Sequence, residues 1–221
     1  MPEIACDDGP MRINHLSLTN FRNYARLELT TPPGAVVLHG ANAQGKTSLL
    51  EAIYYLATSR SPYTHSDRQL INWLVDGDPT PYARLAAEIK TGSGLKRIEV
   101  TLVKERAGGA EHFRKEIRVN GVVRRVMDLL GQMTVVLFLP QDMALVEGPP
   151  GVRRRYLDIT LCQTDQTYCH ALSWYSKVLS QRNALLRRFQ EQGRHDEIQL
   201  AFWDDQLAAH GAQVIVGRHG L

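Results

Sequence analysis

Cysteine is scarce in this sequence, with only 3 cysteines among 221 residues. They are Cys6, Cys162 and Cys169, and no two of them form the Cys-x-x-Cys pair that is typical of zinc sites. Small secreted domains that depend on disulfides carry a far higher density of cysteine. The low count therefore argues against a disulfide framework and against a zinc site, and it predicts a protein of the reducing cytoplasm.

Long apolar runs are missing as well. The apolar runs, such as residues 135–139, are far shorter than the roughly 18 residues that a membrane-spanning helix requires. The first ten residues include Glu3, Asp7 and Asp8 and lack the basic and apolar regions of a secretory signal. We therefore expect no membrane segment, and we interpret residues 1–10 as a disordered leader.

Positive charge is modest in total but clustered along the chain. The net charge is +3, yet three arginines stand in a row at residues 153–155 and a second basic cluster precedes residue 126. Closely spaced cations suit a phosphate backbone, although a solvated surface is the alternative interpretation. The candidate DNA-binding residues of the second cluster are Arg114, Lys115, Arg118, Arg124 and Arg125.

Hydrophobic periodicity predicts an α/β protein. Apolar residues spaced two apart predict an antiparallel hairpin over residues 16–29, and the same spacing with glycine-rich turns predicts an antiparallel meander over residues 82–123. Continuous apolar runs at residues 35–39 and 134–139 are typical of buried strands. The glycines and prolines at residues 148–151 then indicate a domain boundary.

Two helical regions complete the predicted pattern. One helix begins at Lys46, with Leu49, Leu50 and Ile53 on its apolar side and Glu51 on its polar side. Beyond the boundary, apolar residues at steps of three and four between residues 168 and 189 predict a helical lobe. A further helix over residues 198–216 is weakened by glycines at 211, 217 and 220.

A glycine-rich loop between the strand at residues 35–39 and the first helix carries the clearest chemical signal. Its pattern is Gly-x-x-x-x-Gly-Lys-Thr, in which backbone N–H groups can surround a phosphate at a helix N-terminus. Lys46 is expected to reach the β- and γ-phosphates of ATP, and the Thr47 hydroxyl to ligate Mg²⁺. The predicted nucleotide-binding residues are Gly40, Ala41, Asn42, Ala43, Gln44, Gly45, Lys46, Thr47 and Ser48.

Three segments together resemble the RecF family of bacterial DNA replication and repair proteins. They are Leu-Thr-Asn-Phe-Arg-Asn-Tyr at residues 18–24, the loop at residues 40–47, and Phe-Leu-Pro-Gln-Asp-Met-Ala-Leu-Val-Glu-Gly at residues 138–148, which leads into the arginine row. The resemblance implies a P-loop NTPase of the ABC-type, related to the SMC and Rad50 ATPase heads. It implies an ATP-binding α/β lobe with an antiparallel sheet over residues 11–148 and a helical second lobe over residues 149–221.

The resemblance also implies roles for individual residues outside the loop. Gln141 matches the Q-loop glutamine that helps to position Mg²⁺ and the attacking water, with an ordinary loop glutamine as the alternative. Arg22 lies where related ATPases bring a basic residue towards the nucleotide, and a surface arginine is equally compatible with its position. Residues 153–155 are expected to join the lobes, contact phosphates or cap a helix.

Two motifs of the family do not occur in this sequence. There is no signature motif of the Leu-Ser-x-Gly-Gln type and no apolar strand that ends in the Asp-Glu of a Walker B motif. We therefore expect a truncated fold that lacks its C-terminal part, binds ATP and hydrolyses it poorly, although intact family members are ATPases.

The function that the resemblance implies is an ATP-dependent recombination mediator in DNA replication and repair. An ATP-bound homodimer would clamp duplex DNA near single-strand gaps and single-strand/duplex junctions, and other mediator proteins would act with it in the response to DNA damage, including the SOS response. The alternatives are a small-molecule P-loop kinase, which usually has a parallel βαβ order, and the nucleotide-binding subunit of a membrane transporter.

Overall fold

The computed structural model describes residues 11–92, 94–107, 110–193 and 196–220. Cys6 and the predicted leader at residues 1–10 lie outside the described residues. Two compact units divide the chain between Leu137 and Phe138, which is before the boundary predicted from the glycines and prolines at residues 148–151.

The first unit is built on a six-stranded antiparallel sheet. The hairpin predicted over residues 16–29 is formed by the first two strands, and the meander predicted over residues 82–123 is formed by the other four, so both predictions are confirmed. In order across the sheet, the strands are β2 (Tyr24–Thr30), β1 (Arg12–Phe21), β3 (Tyr82–Thr91), β4 (Gly94–Ala107), β5 (Ala110–Val119) and β6 (Val122–Arg124).

Alternating residues give this sheet one apolar face and one charged face. On the apolar face Leu18, Leu85 and Val100 are completely buried. Helix α1 (Lys46–Thr58) packs on this face and adds Tyr55 and Leu56 to the same core. Burial of apolar surface on this face is therefore what fixes α1, and with it the glycine-rich loop, against the sheet.

The orientation of α1 differs from the predicted one. The helix begins at Lys46 as predicted, but Leu50 is 41% exposed and Glu51 is only 2% exposed. The prediction placed Leu50 on the buried side of the helix and Glu51 on the exposed side, because it rested on the polarity of the side chains alone. Glu51 is buried because it has an ionic partner elsewhere in the chain, as described below.

The strands predicted at residues 35–39 and 134–139 are not formed. Both segments lie outside every strand that the structure describes, and Val37 and Val136 are each 82% exposed. Val36, Thr134 and Val135 line a common cavity beside the sheet. A continuous apolar run becomes a buried strand only when neighbouring strands pair with it on both sides, and the six strands of this unit all belong to the antiparallel sheet.

The second unit is helical, as predicted from the resemblance. Its helices are α3 (Ala144–Glu147), α4 (Pro150–Thr164), α5 (Gln166–Gln192) and α6 (Glu197–His219), and a short helix, α2 (Val126–Leu129), belongs to the first unit. Among the described residues, none of the helices is both long enough and apolar enough to cross a bilayer.

Helix α6 is longer than its glycines suggested, and it continues through Gly211 and Gly217 to His219. The glycines allow close packing against α5, since a Cβ at Gly217 would lie 2.5 Å from Cδ2 of Tyr168. The Arg218 guanidinium donates to both carboxylate oxygens of Asp158 at 2.8 and 2.9 Å. These contacts hold the end of α6 against α4 and α5 and explain why the helix does not end at its glycines.

Candidate nucleotide-binding site

The glycine-rich loop leads directly into α1, as the sequence pattern requires. Gly45 precedes the helix with a φ of 96°, and Ala43 also has a positive φ, of 64°. Alternation of left-handed and right-handed backbone turns successive N–H groups towards one point, which makes a binding site for an anion. Among the described residues, no side chain caps the first turn of α1, so its N–H groups face the loop.

Lys46 spans this loop. Its Nζ atom donates hydrogen bonds to the carbonyl oxygens of Gly40 at 2.8 Å and Ala41 at 2.6 Å. The ammonium group thus lies over the loop rather than away from it. A phosphate bound at the helix N-terminus would meet this positive charge.

The turn between β1 and β2 stabilises the loop through hydrogen bonds. Tyr24 donates from its hydroxyl to the carbonyl oxygen of Gly45 at 3.1 Å, and Asn23 donates from Nδ2 to the carbonyl oxygen of Ala43 at 3.4 Å. Burial raises the pKa of Tyr24, so its hydroxyl keeps the proton that it donates. Sequence reasoning used these two residues only as part of the family resemblance and did not assign them this supporting role.

Gly45→Ala is expected to disrupt the loop. A Cβ at this position would lie 2.8 Å from Asn23 Nδ2 and from Tyr24 Cζ and Oη, and the φ of 96° is strained for any residue with a Cβ. We expect a loss of about 1–3 kcal/mol in the free energy of unfolding and a loss of nucleotide binding, measured by chemical denaturation and calorimetry. Gly77→Ala is the control, because a Cβ at Gly77 would have no neighbour within 4 Å; equal effects of the two changes would contradict the prediction.

Arg22 and the buried Glu51 form a partly buried ion pair beside the loop. Arg22 donates to the two carboxylate oxygens of Glu51 from Nε at 2.8 Å and from Nη2 at 2.7 Å, and the Ser61 hydroxyl donates to the same carboxylate at 2.5 Å. Arg22 is therefore not a plain surface arginine, since it joins the β1–β2 turn to α1. Its positive φ of 53° places it in this geometry.

A cavity of about 480 Å³ lies at the mouth of the loop. This volume is within the range of roughly 300–1,000 Å³ that is usual for small-molecule sites. The predicted residues Gly40, Ala41 and Gln44 do not line it. The cavity is lined by Arg22, Asn23, Asn42, Ala43, Gly45, Lys46, Thr47, Ser48, Gln69, Ile71 and Trp73.

The two predicted Mg²⁺ ligands, Thr47 and Gln141, belong to different units of the chain. Thr47 lines the cavity, and the described residues contain no group of three or more His, Cys, Asp or Glu side chains that could hold a metal alone. Mg²⁺ in nucleotide sites keeps several waters and takes few protein ligands, so one hydroxyl with phosphate oxygens is sufficient. Gln141, the other predicted Mg²⁺ ligand, lies exposed in a 3₁₀ helix (Pro140–Met143) of the second unit.

The structure does not bring the five predicted DNA-binding residues together. Arg114 and Arg118 lie on the charged face of the sheet, whereas Lys115 lies on the other face and pairs with Asp67 at 2.7 Å. Arg124 is opposite Ile117 in the β5–β6 pair and so shares the face of that buried residue, although it lies exposed at the sheet edge. Arg125 follows β6, and its side chain is 83% exposed.

Ion pairs neutralise much of the charged face of the sheet. Glu116 accepts from Arg118 at 2.7 Å and from Arg114 at 3.0 Å, and Glu99 pairs in the same way with Arg84 and Arg97. The hydrogen bond from Arg118 lowers the pKa of Glu116, so this carboxylate is charged at neutral pH. Two of the clustered arginines, Arg114 and Arg118, are therefore part of a ladder of opposite charges in the fold.

The arginine row at residues 153–155 begins α4. Arg153 donates from Nη1 to the carbonyl oxygen of Gly148 at 2.9 Å, which fixes the turn before the helix. Arg154 and Arg155 are exposed. Of the three predicted roles for the row, Arg153 shows a helix-end contact, and the two exposed arginines remain candidates for phosphate contacts.

Comparison with known proteins identifies the relatives of this chain. The family described as the AAA domain matches residues 15–167. The DNA replication and repair protein RecF of Chloroflexus aurantiacus is 48% identical over 220 residues, which cover 94% of this chain and 55% of that protein. RecF of Roseiflexus castenholzii is 46% identical, with 93% of this chain and 54% of that protein covered.

Solved structures agree with this result. A structure described as the recombination mediator protein RecF with ATP in the RecFOR pathway has a TM-score of 0.83 and 31% identity, and the match covers 95% of this chain and 53% of that one. The chain thus spans about half the length of the relatives that it matches. The predicted resemblance and fold class are confirmed: the chain belongs to the AAA domain family, in which it corresponds to the N-terminal portion of the RecF proteins.

Proposed function

We propose that this chain binds ATP with Mg²⁺ through the loop at residues 40–47. The observation that carries the proposal is the position of Lys46, whose ammonium group crosses the loop at the mouth of a cavity of about 480 Å³. The uncapped N-terminus of α1 adds a partial positive charge at the same place. A solved relative was described with ATP.

Each element of the site has a part in holding the triphosphate. The backbone N–H groups of the loop and of the first helical turn donate to phosphate oxygens, and Lys46 exchanges its two carbonyl contacts for the β- and γ-phosphates. The Thr47 hydroxyl would help to hold Mg²⁺ beside the phosphates. Bound Mg²⁺ neutralises phosphate charge.

The test is equilibrium binding of ATP to the purified chain by calorimetry, with Mg²⁺ and then with a chelator. We expect saturable binding at one site that weakens when Mg²⁺ is removed, because the metal offsets repulsion among the phosphates. Phosphate release in the same samples should be negligible, since the sequence contains neither a signature motif nor a Walker B motif. No saturable binding would overturn the proposal, and rapid turnover would contradict the expected deficiency in hydrolysis.

We further propose that ATP binding controls a DNA-binding role in replication and repair. The support is similarity to proteins named for DNA replication and repair, together with a solved relative described as a recombination mediator. In this role ATP promotes a homodimer that clamps duplex DNA at single-strand gaps, and other mediator proteins act with it. The DNA damage response and the cytoplasm are the setting that we propose for it.

Arg124 is the residue of the basic cluster that suits DNA contact best. It is exposed at the edge of the sheet, whereas Arg125 pairs with Asp128 at 3.3 Å, Arg114 and Arg118 share the carboxylate of Glu116, and Lys115 is tied to Asp67. An arginine already paired with a carboxylate gives little net attraction for phosphate. The residues proposed to contact DNA are therefore fewer than the five of the sequence cluster.

Arg124→Gln is expected to weaken DNA binding in a salt-dependent way. Each lost phosphate contact should reduce the slope of log K against log salt concentration by about 0.9 for duplex DNA. Fluorescence anisotropy of a labelled duplex across a series of salt concentrations measures this slope, with ATP and Mg²⁺ present.

The matched control replaces Arg118 and Glu116 by glutamine together, which removes both ion pairs of Glu116 at constant net charge. Its slope should equal that of the unmodified chain. A control that loses as much affinity as Arg124→Gln would assign the DNA contacts to the charged face of the sheet instead.

A further inference from the structure

Trp73 lies at the nucleotide cavity, although sequence reasoning did not select it. It lines the cavity together with Lys46 and Thr47, and it is 73% exposed. A large aromatic ring left in water at the edge of a cavity is a surface that gains free energy when a ligand covers it. The ring therefore offers a ligand an apolar contact in addition to the phosphate contacts of the loop.

The backbone that carries Trp73 is firmly held. Asn72 is only 2% exposed, donates from its backbone N–H to the carbonyl oxygen of Asn20 at 2.8 Å, and accepts with its side chain from the Leu74 N–H at 2.9 Å. Just before it, Ile71 forms a β-bridge with Phe21. The same β1–β2 turn that supports the loop thus also fixes the position of Trp73.

This arrangement couples two parts of one site. The turn at residues 20–24 contacts the loop through Tyr24 and holds the segment before Trp73 through Asn20. The Arg22 guanidinium adds a hydrogen bond to the carbonyl oxygen of Gln69 at 3.2 Å. Because one turn contacts both, it sets the separation between the loop and the backbone of Trp73, which suits a ligand with a charged end and a flat end.

We propose that Trp73 is the base-binding platform of the site, on which the purine ring of the nucleoside triphosphate stacks while the loop holds the phosphates. The proposal rests on the proposed binding of ATP. It adds a contact with the base, which a bare polyphosphate cannot make. Stacking of a base on an aromatic side chain depends on the area of the ring faces, so a purine should bind better than a pyrimidine.

The test compares two ligands that share the phosphates and differ in the base. Trp73→Ala is titrated by calorimetry with ATP and with inorganic tripolyphosphate, each with Mg²⁺. We expect about a tenfold loss of affinity for ATP, as for the removal of one base-stacking aromatic, and no change beyond about twofold for tripolyphosphate, which has no base to stack. Leu74→Ala is the matched control, because Leu74 is the next residue, is 64% exposed and does not line the cavity.

Fluorescence gives a second readout of the same contact. The sequence has three tryptophans, so replacing Trp174 and Trp203 by phenylalanine leaves Trp73 as the only indole. ATP should quench its emission, and tripolyphosphate should leave it unchanged, since only a stacked base contacts the ring.

The outcomes separate the two proposals. Failure of the unmodified chain to bind either ligand would reject the proposed ATP site and the platform with it. If the unmodified chain binds ATP and Trp73→Ala binds it equally well, the platform is wrong and the ATP site stands. An equal loss for ATP and tripolyphosphate would also reject the platform, because Trp73 would then act only by supporting the loop.

Discussion

Lys46→Ala is expected to lower the affinity for ATP by about 100-fold or more. The ammonium group is the positive charge that lies over the loop, and its two hydrogen bonds show that it reaches across to Gly40 and Ala41. A charge-assisted hydrogen bond contributes about 1.5–3 kcal/mol, so the loss of one or two such bonds to phosphate accounts for this factor. Calorimetry with ATP and Mg²⁺ measures the change.

The fold should tolerate this substitution. Lys46 is only partly buried, and the carbonyl groups of Gly40 and Ala41 to which it donates are on exposed residues that water can reach. We therefore expect a change of less than about 1 kcal/mol in the free energy of unfolding. Lys90→Ala, at an exposed position of β3, removes the same charge away from the loop and should leave binding unchanged. Equal affinities of Lys46→Ala and the unmodified chain would show that the loop does not hold the nucleotide.

Glu51→Ala is expected to reduce the free energy of unfolding by about 1.5–3 kcal/mol, the usual contribution of a hydrogen bond to a charged group, because water reaches part of the Arg22 guanidinium that is left behind. Glu51 is 2% exposed and accepts two hydrogen bonds from Arg22 and one from Ser61. Its removal leaves a guanidinium group and a hydroxyl without their acceptor. Against a total stability of about 5–15 kcal/mol, this loss is large and is readily measured by urea denaturation.

Two comparisons test the cause of this loss. Glu88→Ala breaks an exposed ion pair with Arg97 and should cost less than about 1 kcal/mol. The double variant Arg22→Met with Glu51→Leu removes both charges and should be more stable than Glu51→Ala, because no uncompensated charge is left inside. A double variant as unstable as the single one would indicate that side-chain shape, and not charge, determines the stability here.

Sequence patterns predicted the elements that depend on residues close to one another in the sequence. The loop and the start of α1 follow from glycines and a lysine within a few residues of one another, and the β1–β2 hairpin and the meander follow from alternation along adjacent strands. The position of Glu51 was predicted wrongly because its partner, Arg22, lies 29 residues away in the sequence. Lys115 was grouped with its neighbours by sequence, although the alternation of a strand turns it to the other face, where Asp67 lies.

Elements that depend on distant partners were not predictable in the same way. The apolar runs at residues 35–39 and 134–139 have the composition of buried strands, but composition does not supply the strands that must pair with them. Trp73 was missed for a related reason, because contacts with the distant β1–β2 turn, such as the β-bridge between Ile71 and Phe21, bring its segment beside the loop. An aromatic residue shortly after the loop helix is the sequence signal that could have identified Trp73.

The exposed apolar segment at residues 35–39 has a practical consequence for solution studies. Val36, Val37 and Leu38 present apolar side chains to water on a backbone segment that belongs to none of the described strands. Such a segment can pair with its copy in another molecule. Self-association should therefore increase as protein concentration rises, and light scattering should increase well before the unfolding temperature is reached. Titrations and denaturation curves will be most reproducible at low micromolar concentrations with a weakly chaotropic salt.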